Sequence, residues 1–235
     1  MRPLGKAAKA ALSIVASALL LFIPAAGLAA QTVVPLGPFR SVTLRHGGEV
    51  TVRHASTQRV TLIKGTTDHS SLTIVGGGLV IDRCPGRCPE GYELEVEILT
   101  PNLDDFTVMD GGVIESRGSF PRQLELRVMV EEGGIIDLRA MTIDQVAAAV
   151  REGGRILAKP RERLVAEIES GGVVTYWGNP RVTSSVENGG AVTRGAAADA
   201  NKPFHEFGPK MPAIPPIPPV PPVPPVPPIR AGESI

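Results

Sequence analysis

The sequence predicts an all-β protein: a single-stranded parallel β-helix, right-handed, followed by a proline-rich tail that is disordered or polyproline II. Three observations predict it. Paired glycines recur at intervals of about 20 residues, aliphatic residues hold fixed offsets on both sides of each pair, and the composition changes after Gly195.

The first 30 residues stand apart. Arg2, Lys6 and Lys9 precede an uncharged run from Ala10 to Ile23, and Pro24 leads into Ala25-Ala26-Gly27-Leu28-Ala29-Ala30, the pattern of a signal peptide cleaved after Ala29 or Ala30. The apolar run of 14 residues is short for a bilayer, which needs about 20. Gln31 in place of Cys argues against a lipoprotein. The expectation is an exported, periplasmic or extracellular protein with no membrane span after cleavage. The whole chain balances 24 Lys and Arg against 24 Asp and Glu, and the leader holds three of the cations and no acid. Residues 31–235 are therefore slightly acidic, which argues against nucleic acid as a partner, because binding it takes a clustered basic face.

Residues 31–195 are expected to form the β-helix. Gly-Gly stands at Gly47-Gly48, Gly77-Gly78, Gly111-Gly112, Gly133-Gly134, Gly153-Gly154, Gly171-Gly172 and Gly189-Gly190. Three residues before each pair come Leu44, Ile74, Val108, Val130, Val150, Ile168 and Val186, all aliphatic; two residues after come Val50, Val80, Ile114, Ile136, Ile156, Val174 and Val192, all β-branched. Two positions further upstream the series Val42, Leu72, Phe106, Val128, Ala148, Ala166, Ser184 extends an alternation of period two. Each unit thus reads as a strand, a glycine corner and a strand. An antiparallel meander, with each pair as a two-residue hairpin, is the rival architecture. Like residues at like offsets favour coils, in which each side chain stacks on its counterpart one repeat away, about 4.8 Å along the axis.

Cys84 and Cys88 flank Pro85-Gly86-Arg87, and in an oxidising compartment this tight loop is expected to close as a disulfide. A metal site would need two more ligands, and no histidine lies within ten residues.

The stretches Phe39-Arg40-Ser41-Val42-Thr43-Leu44, Thr100-Pro101-Asn102-Leu103, Tyr176-Trp177-Gly178-Asn179-Pro180 and Glu187-Asn188-Gly189-Gly190-Ala191-Val192 resemble the bacterial head GIN domain, a family named for auto-transporter adhesins, over about residues 38–195. The resemblance implies an exported parallel β-helix and brings no catalytic residues with it. The cysteine loop and the long proline tail depart from the family pattern.

Chemistry is sparse. Asp110, Glu132 and Glu152, with Ser170 and Asn188, precede successive glycine pairs, and stacking would make them a polar ladder. Solvated turn residues account for such a ladder, and calcium, which takes carboxylate and amide oxygens, is the one cofactor it could attract. Asp104-Asp105 and Glu131-Glu132 are neighbours that a strand would send to opposite faces, so neither pair suits acid-base catalysis. His46, His54, His69 and His205 share no ligand-like spacing. Tyr176 and Trp177, the latter the sole tryptophan, are the candidates for contact with a ligand such as a sugar ring. In strict alternation one of them points inward.

After Gly195 a linker leads into Pro212–Ile229, which holds 11 prolines in 18 residues. Its three-residue polyproline turn aligns Ile214, Ile217, Val220, Val223, Val226 and Ile229 on one edge, over roughly 56 Å. A spacer or a rod for docking is expected of residues 196–235. The functional expectation is a non-catalytic envelope protein offering a binding, adhesion or scaffolding surface to a protein or glycan, with self-association through unprotected solenoid ends. A carbohydrate-active enzyme on the same fold and a calcium-stabilised structural module are the alternatives.

Overall fold

The computed structural model describes residues 31–203; the expected signal peptide and the proline-rich stretch lie outside the described residues. Strand β1 (Thr32–Val34) precedes a first coil, β2 (Ser41–Arg45) and β3 (Glu49–His54). Then come β4 (Arg59–Lys64), β5 (Ser71–Val75), β6 (Gly78–Asp82) and β7 (Glu95–Thr100). Five regular coils complete the fold: β8 (Asp105–Met109) with β9 (Val113–Arg117), β10 (Gln123–Val130) with β11 (Ile135–Asp137), β12 (Ile143–Glu152) with β13 (Arg155–Ala158), β14 (Pro160–Ser170) with β15 (Val173–Tyr176), and β16 (Arg181–Asn188) with β17 (Ala191–Arg194). The first strand of each coil joins an eight-stranded sheet and the second a nine-stranded sheet.

The rows legible in the sequence are the rows of the core. Leu44, Val108, Val130, Val150, Ile168 and Val186 occupy one register, and Val42, Phe106, Val128, Ala148, Ala166 and Ser184 the next, all in parallel ladders. Across the corner, Val50, Ile114, Ile136, Ile156, Val174 and Val192 stack likewise. The members of these rows up to Ile168 and Val174 are almost fully buried between the two sheets, as shared burial of apolar surface requires.

Gly153 and Gly154 show why the corner is written with two glycines. Both have positive φ, +73° and +94°. A Cβ on Gly153 would meet nothing within 4 Å, whereas one on Gly154 would lie 2.5 Å from Val130 Cγ1 and 2.9 Å from the Gly134 carbonyl of the coil beneath. The first glycine supplies conformation. The second also supplies clearance.

One pair departs from this scheme. Gly77-Gly78 is not a corner between sheets: Gly76 (φ +59°) and Gly77 (φ +81°) form the two-residue turn of the antiparallel β5–β6 hairpin, and Gly78 is the first residue of β6. Positive φ at both central positions is what such hairpin turns demand, and the third consecutive glycine supplies it. The side chains consequently change faces, since a one-residue slip inverts a strand. Leu79 and Ile81 enter the core beside Val42 and Leu44, and Val80 lies outside.

The stack is also out of chain order. Coil β2–β3 lies between β6–β7 on one side and β8–β9 on the other, parallel to both. Strands β4 and β5 then run antiparallel to β7 and β6 and close that end, with β1 antiparallel on β4.

Candidate functional surface

At the corners Asp110 faces Glu132, with Glu152 nearby, and Glu152, Ser170 and Asn188 share one register. The Glu132 carboxyl is pushed above the usual carboxylate range, first by a hydrogen bond with Asp110 and then by the negative charges of Asp110 and Glu152. At the near end His46 joins the column: its Nδ1 lies 2.9 Å from Asp82 Oδ1 and its Nε2 3.6 Å from Asp110 Oδ2. His46 and Asp110 adopt left-handed φ of +58° and +59°, uncommon for non-glycine residues. Among the described residues no group of three or more His, Cys, Asp or Glu side chains is placed to hold a metal ion.

The two aromatic candidates are not an open face. Trp177 is only 4% exposed; its Nε1–H donates to the Ala196 carbonyl at 2.9 Å, and the Arg139 guanidinium lies 5.4 Å from its ring centroid. Gly195 sits so close to the ring that a Cβ there would overlap it. Trp177 therefore seals the corner opposite the glycines, and Tyr176 is partly buried against the core. The expected linker also begins by packing. Arg139 donates to the Asp199 carbonyl at 3.1 Å and Lys159 to Asn201 Oδ1 at 2.8 Å, so residues 195–203 run down the side of the stack. Beneath them Arg139 and Asp137 form a buried ion pair at 2.6 Å.

Cys84 and Cys88 are joined as a disulfide in the loop between β6 and β7. Tyr92 anchors the same loop: its hydroxyl accepts from the Thr66 amide at 2.9 Å and meets Ser70 Oγ at 2.7 Å, while Arg83 donates to its carbonyl.

The outward face of the eight-stranded sheet carries a run of uncharged positions. In successive strands Val80, Thr43, Thr107, Met129 and Ala149 share one outward register, with Ala147, Val165 and Thr183 beside the later members. Charges stand to the sides of this strip. On one side Arg151 bridges Glu131 at 2.5 Å and Glu169 at 3.6 Å; on the other Arg127 lies 3.6 Å from Asp105.

At the same sheet's opposite margin, Arg40, Asp104, Arg122, Gln123, Leu124 and Arg127 line a depression. Arg40 grips Asp104 through two bonds of 2.5 and 2.7 Å, and Arg122 grips Asp144 through contacts of 2.8 and 2.9 Å. The hydrogen bond from Arg122 holds the Asp144 carboxyl below its ordinary range. Both polar atoms of the Gln123 amide are buried there without a hydrogen-bond partner. None of these pairs was marked in the sequence, because their members stand 22 to 64 residues apart.

A scan of protein-family models and a search of curated proteins return no match to the chain. Solved structures do resemble it. A candidate adhesin from Bacteroides fragilis aligns at 12% identity and a TM-score of 0.48, covering 70% of this chain and 95% of its own. A candidate cell adhesion protein from Clostridium sporogenes aligns at 11% identity and a TM-score of 0.33, covering 70% and 98%. A candidate lipid-binding protein from Parabacteroides distasonis aligns at 13% identity and a TM-score of 0.29, covering 71% and 96%. Likeness at this level places no residue of this chain in a role.

Proposed function

We propose that this is a non-catalytic protein of the cell envelope that offers the outward face of its eight-stranded sheet to an extended partner, a glycan or another envelope protein. The observation that carries the reading is the strip Val80, Thr43, Thr107, Met129 and Ala149, an uncharged position in each of five successive strands, ended by Glu167 of β14 in the same register and flanked by paired charges. Four strand spacings make the strip about 19 Å long, a repeating surface suited to a repeating or extended polymer. Export through residues 1–30 and adhesion of the head GIN type belong to the same reading, supported by the leader pattern and by the sequence resemblance over residues 38–195. The test is a binding screen of envelope polysaccharides and proteins with the full chain and with Ala149→Glu, which plants a charge in the strip. Binding lost in the variant is the expected result, and binding indifferent to it refutes the assignment of the face. Polysaccharide cleavage abolished by a single substitution at Asp110, Glu132 or Glu152 would overturn the non-catalytic reading.

A calcium-stabilised module is the second reading, favoured by the facing carboxyls of Asp110 and Glu132, whose hydrogen bond and then mutual repulsion raise Glu132. A divalent cation would relieve that repulsion. Melting that falls on addition of a chelator supports it; melting unchanged by chelator and by added calcium removes it.

A further inference from the structure

The two ends of the stack are finished differently. At one end β4 and β5 fold back antiparallel and β1 covers β4. At the other, among the described residues, β16 pairs with β14 alone and forms the edge of the eight-stranded sheet. Its inward column positions are uncovered: Val182 and Val186 are 37% and 42% exposed, while Leu164 and Ile168, one coil below, are fully buried. Ser184, between the two valines, is exposed as well. Eight consecutive residues therefore present an unpaired edge and an open slice of core, with no proline, lysine or inward charge to block pairing.

We propose that the occupant of this edge is a second copy of the chain, added antiparallel so that β16 pairs with itself about a two-fold axis through Ser184. Inward residues of one copy must meet inward residues of the other, which restricts the axis to a residue centre. Centred on Ser184, the register sets Val182 against Val186, Thr183 against Ser185, and Arg181 against Glu187, each pairing made twice. Moving the centre to Ser185 would set Val182 against Asn188 and Val186 against Ser184, losing both apolar pairs. Among the described residues neither Arg181 nor Glu187 has an ion-pair partner of its own, so both are available to the copy.

The chain's own tail is a poorer occupant. It leaves the described region at Pro203, after Asn201 has met Lys159 on the side of the stack, two coils below the open end. Its stretch Pro212–Ile229 has 11 prolines in 18 residues, and proline has no amide hydrogen to give to a ladder.

The test is the mass of the full chain in solution by sedimentation velocity over a range of concentrations. A dimer is expected. Arg181→Glu or Glu187→Arg alone places like charges in apposition twice and should weaken it at least ~10-fold. Mixing the two single variants should restore association as a heterodimer, and the doubly exchanged chain should dimerise by itself. Ser184→Cys fixes the register independently. Opposed residues of an antiparallel pair have Cα atoms about 4.5–5.5 Å apart, within disulfide reach, so this variant should form a covalent dimer under mild oxidation. Val182→Cys, about 14 Å from its own copy in this register, should not. A monomer at all concentrations, a dimer indifferent to both charge variants, equal crosslinking at positions 182 and 184, or a dimer abolished by truncation after Pro203 each overturns the proposal.

Discussion

Alanine substituted at Gly153 and, separately, at Gly154 divides the two physical demands of the corner. Both positions hold positive φ, which costs an alanine roughly 1–2 kcal/mol. Replacing glycine also restricts the unfolded chain and returns about 0.4–1 kcal/mol. Gly153→Ala meets nothing within 4 Å, so its net cost should be about 0–1.5 kcal/mol. Gly154→Ala adds a methyl 2.5 Å from Val130 Cγ1 and 2.9 Å from the Gly134 carbonyl. Overpacking of this kind costs typically ~1–3 kcal/mol more, and the backbone oxygen cannot rotate away. The second substitution should therefore exceed the first by about 2 kcal/mol, or roughly 4–8 °C in melting temperature. Urea unfolding followed by far-ultraviolet circular dichroism measures both, and Trp177, the sole tryptophan, reports on the C-terminal coils. Equal losses, or a larger loss at Gly153, would refute the stacking explanation and leave backbone conformation as the whole requirement.

Glu132 binds its proton more tightly in the fold than in the unfolded chain, so it lowers stability as pH rises through and above the ordinary carboxylate range. Glu132→Gln should melt higher than the parent at pH 7, and the gain should vanish below about pH 4, where Glu132 is protonated in both states. Asp144 has the opposite sign: its carboxyl is held low, chiefly by the Arg122 hydrogen bond, so its contribution is present above about pH 4 and is lost as pH falls through the depressed value. Asp144→Asn should melt lower at pH 7, with the difference shrinking on acidification. Trp177→Ala should cost about 3–5 kcal/mol and expose residues 195–203 to protease, because the ring holds that segment through Ala196. Reducing Cys84–Cys88 should cost at most about 2 kcal/mol, since the loop it closes is short. Hydrogen exchange should then quicken in the 83–94 loop and not in the core rows.

What the sequence determined by itself is everything that repeats. Six of the seven glycine pairs lie at corners, and the rows read through Val150 and Ile156 are the rows that stack, because a coil's inward positions follow from strand alternation on either side of a bend. The disulfide was legible for the same local reason. The triple glycine at 76–78 sat at the limit of this legibility: Gly77-Gly78 matches the flanking pattern through Ile74 and Val80, yet pairing with β2 and β5 makes Gly76-Gly77 the turn of a hairpin. The tertiary structure decided the rest. Coil β2–β3 presents equivalent aliphatic rows to both sides, so nothing in its pattern says that β6–β7 and β8–β9 will enclose it. Trp177 is buried because residues 195–203 come back across it, and Val182 stays open because no described segment covers β16. Periodicity specifies the contacts within and between adjacent repeats. The order of coils and the finish of the two ends depend on which distant segment arrives there, and a repeat carries no record of that.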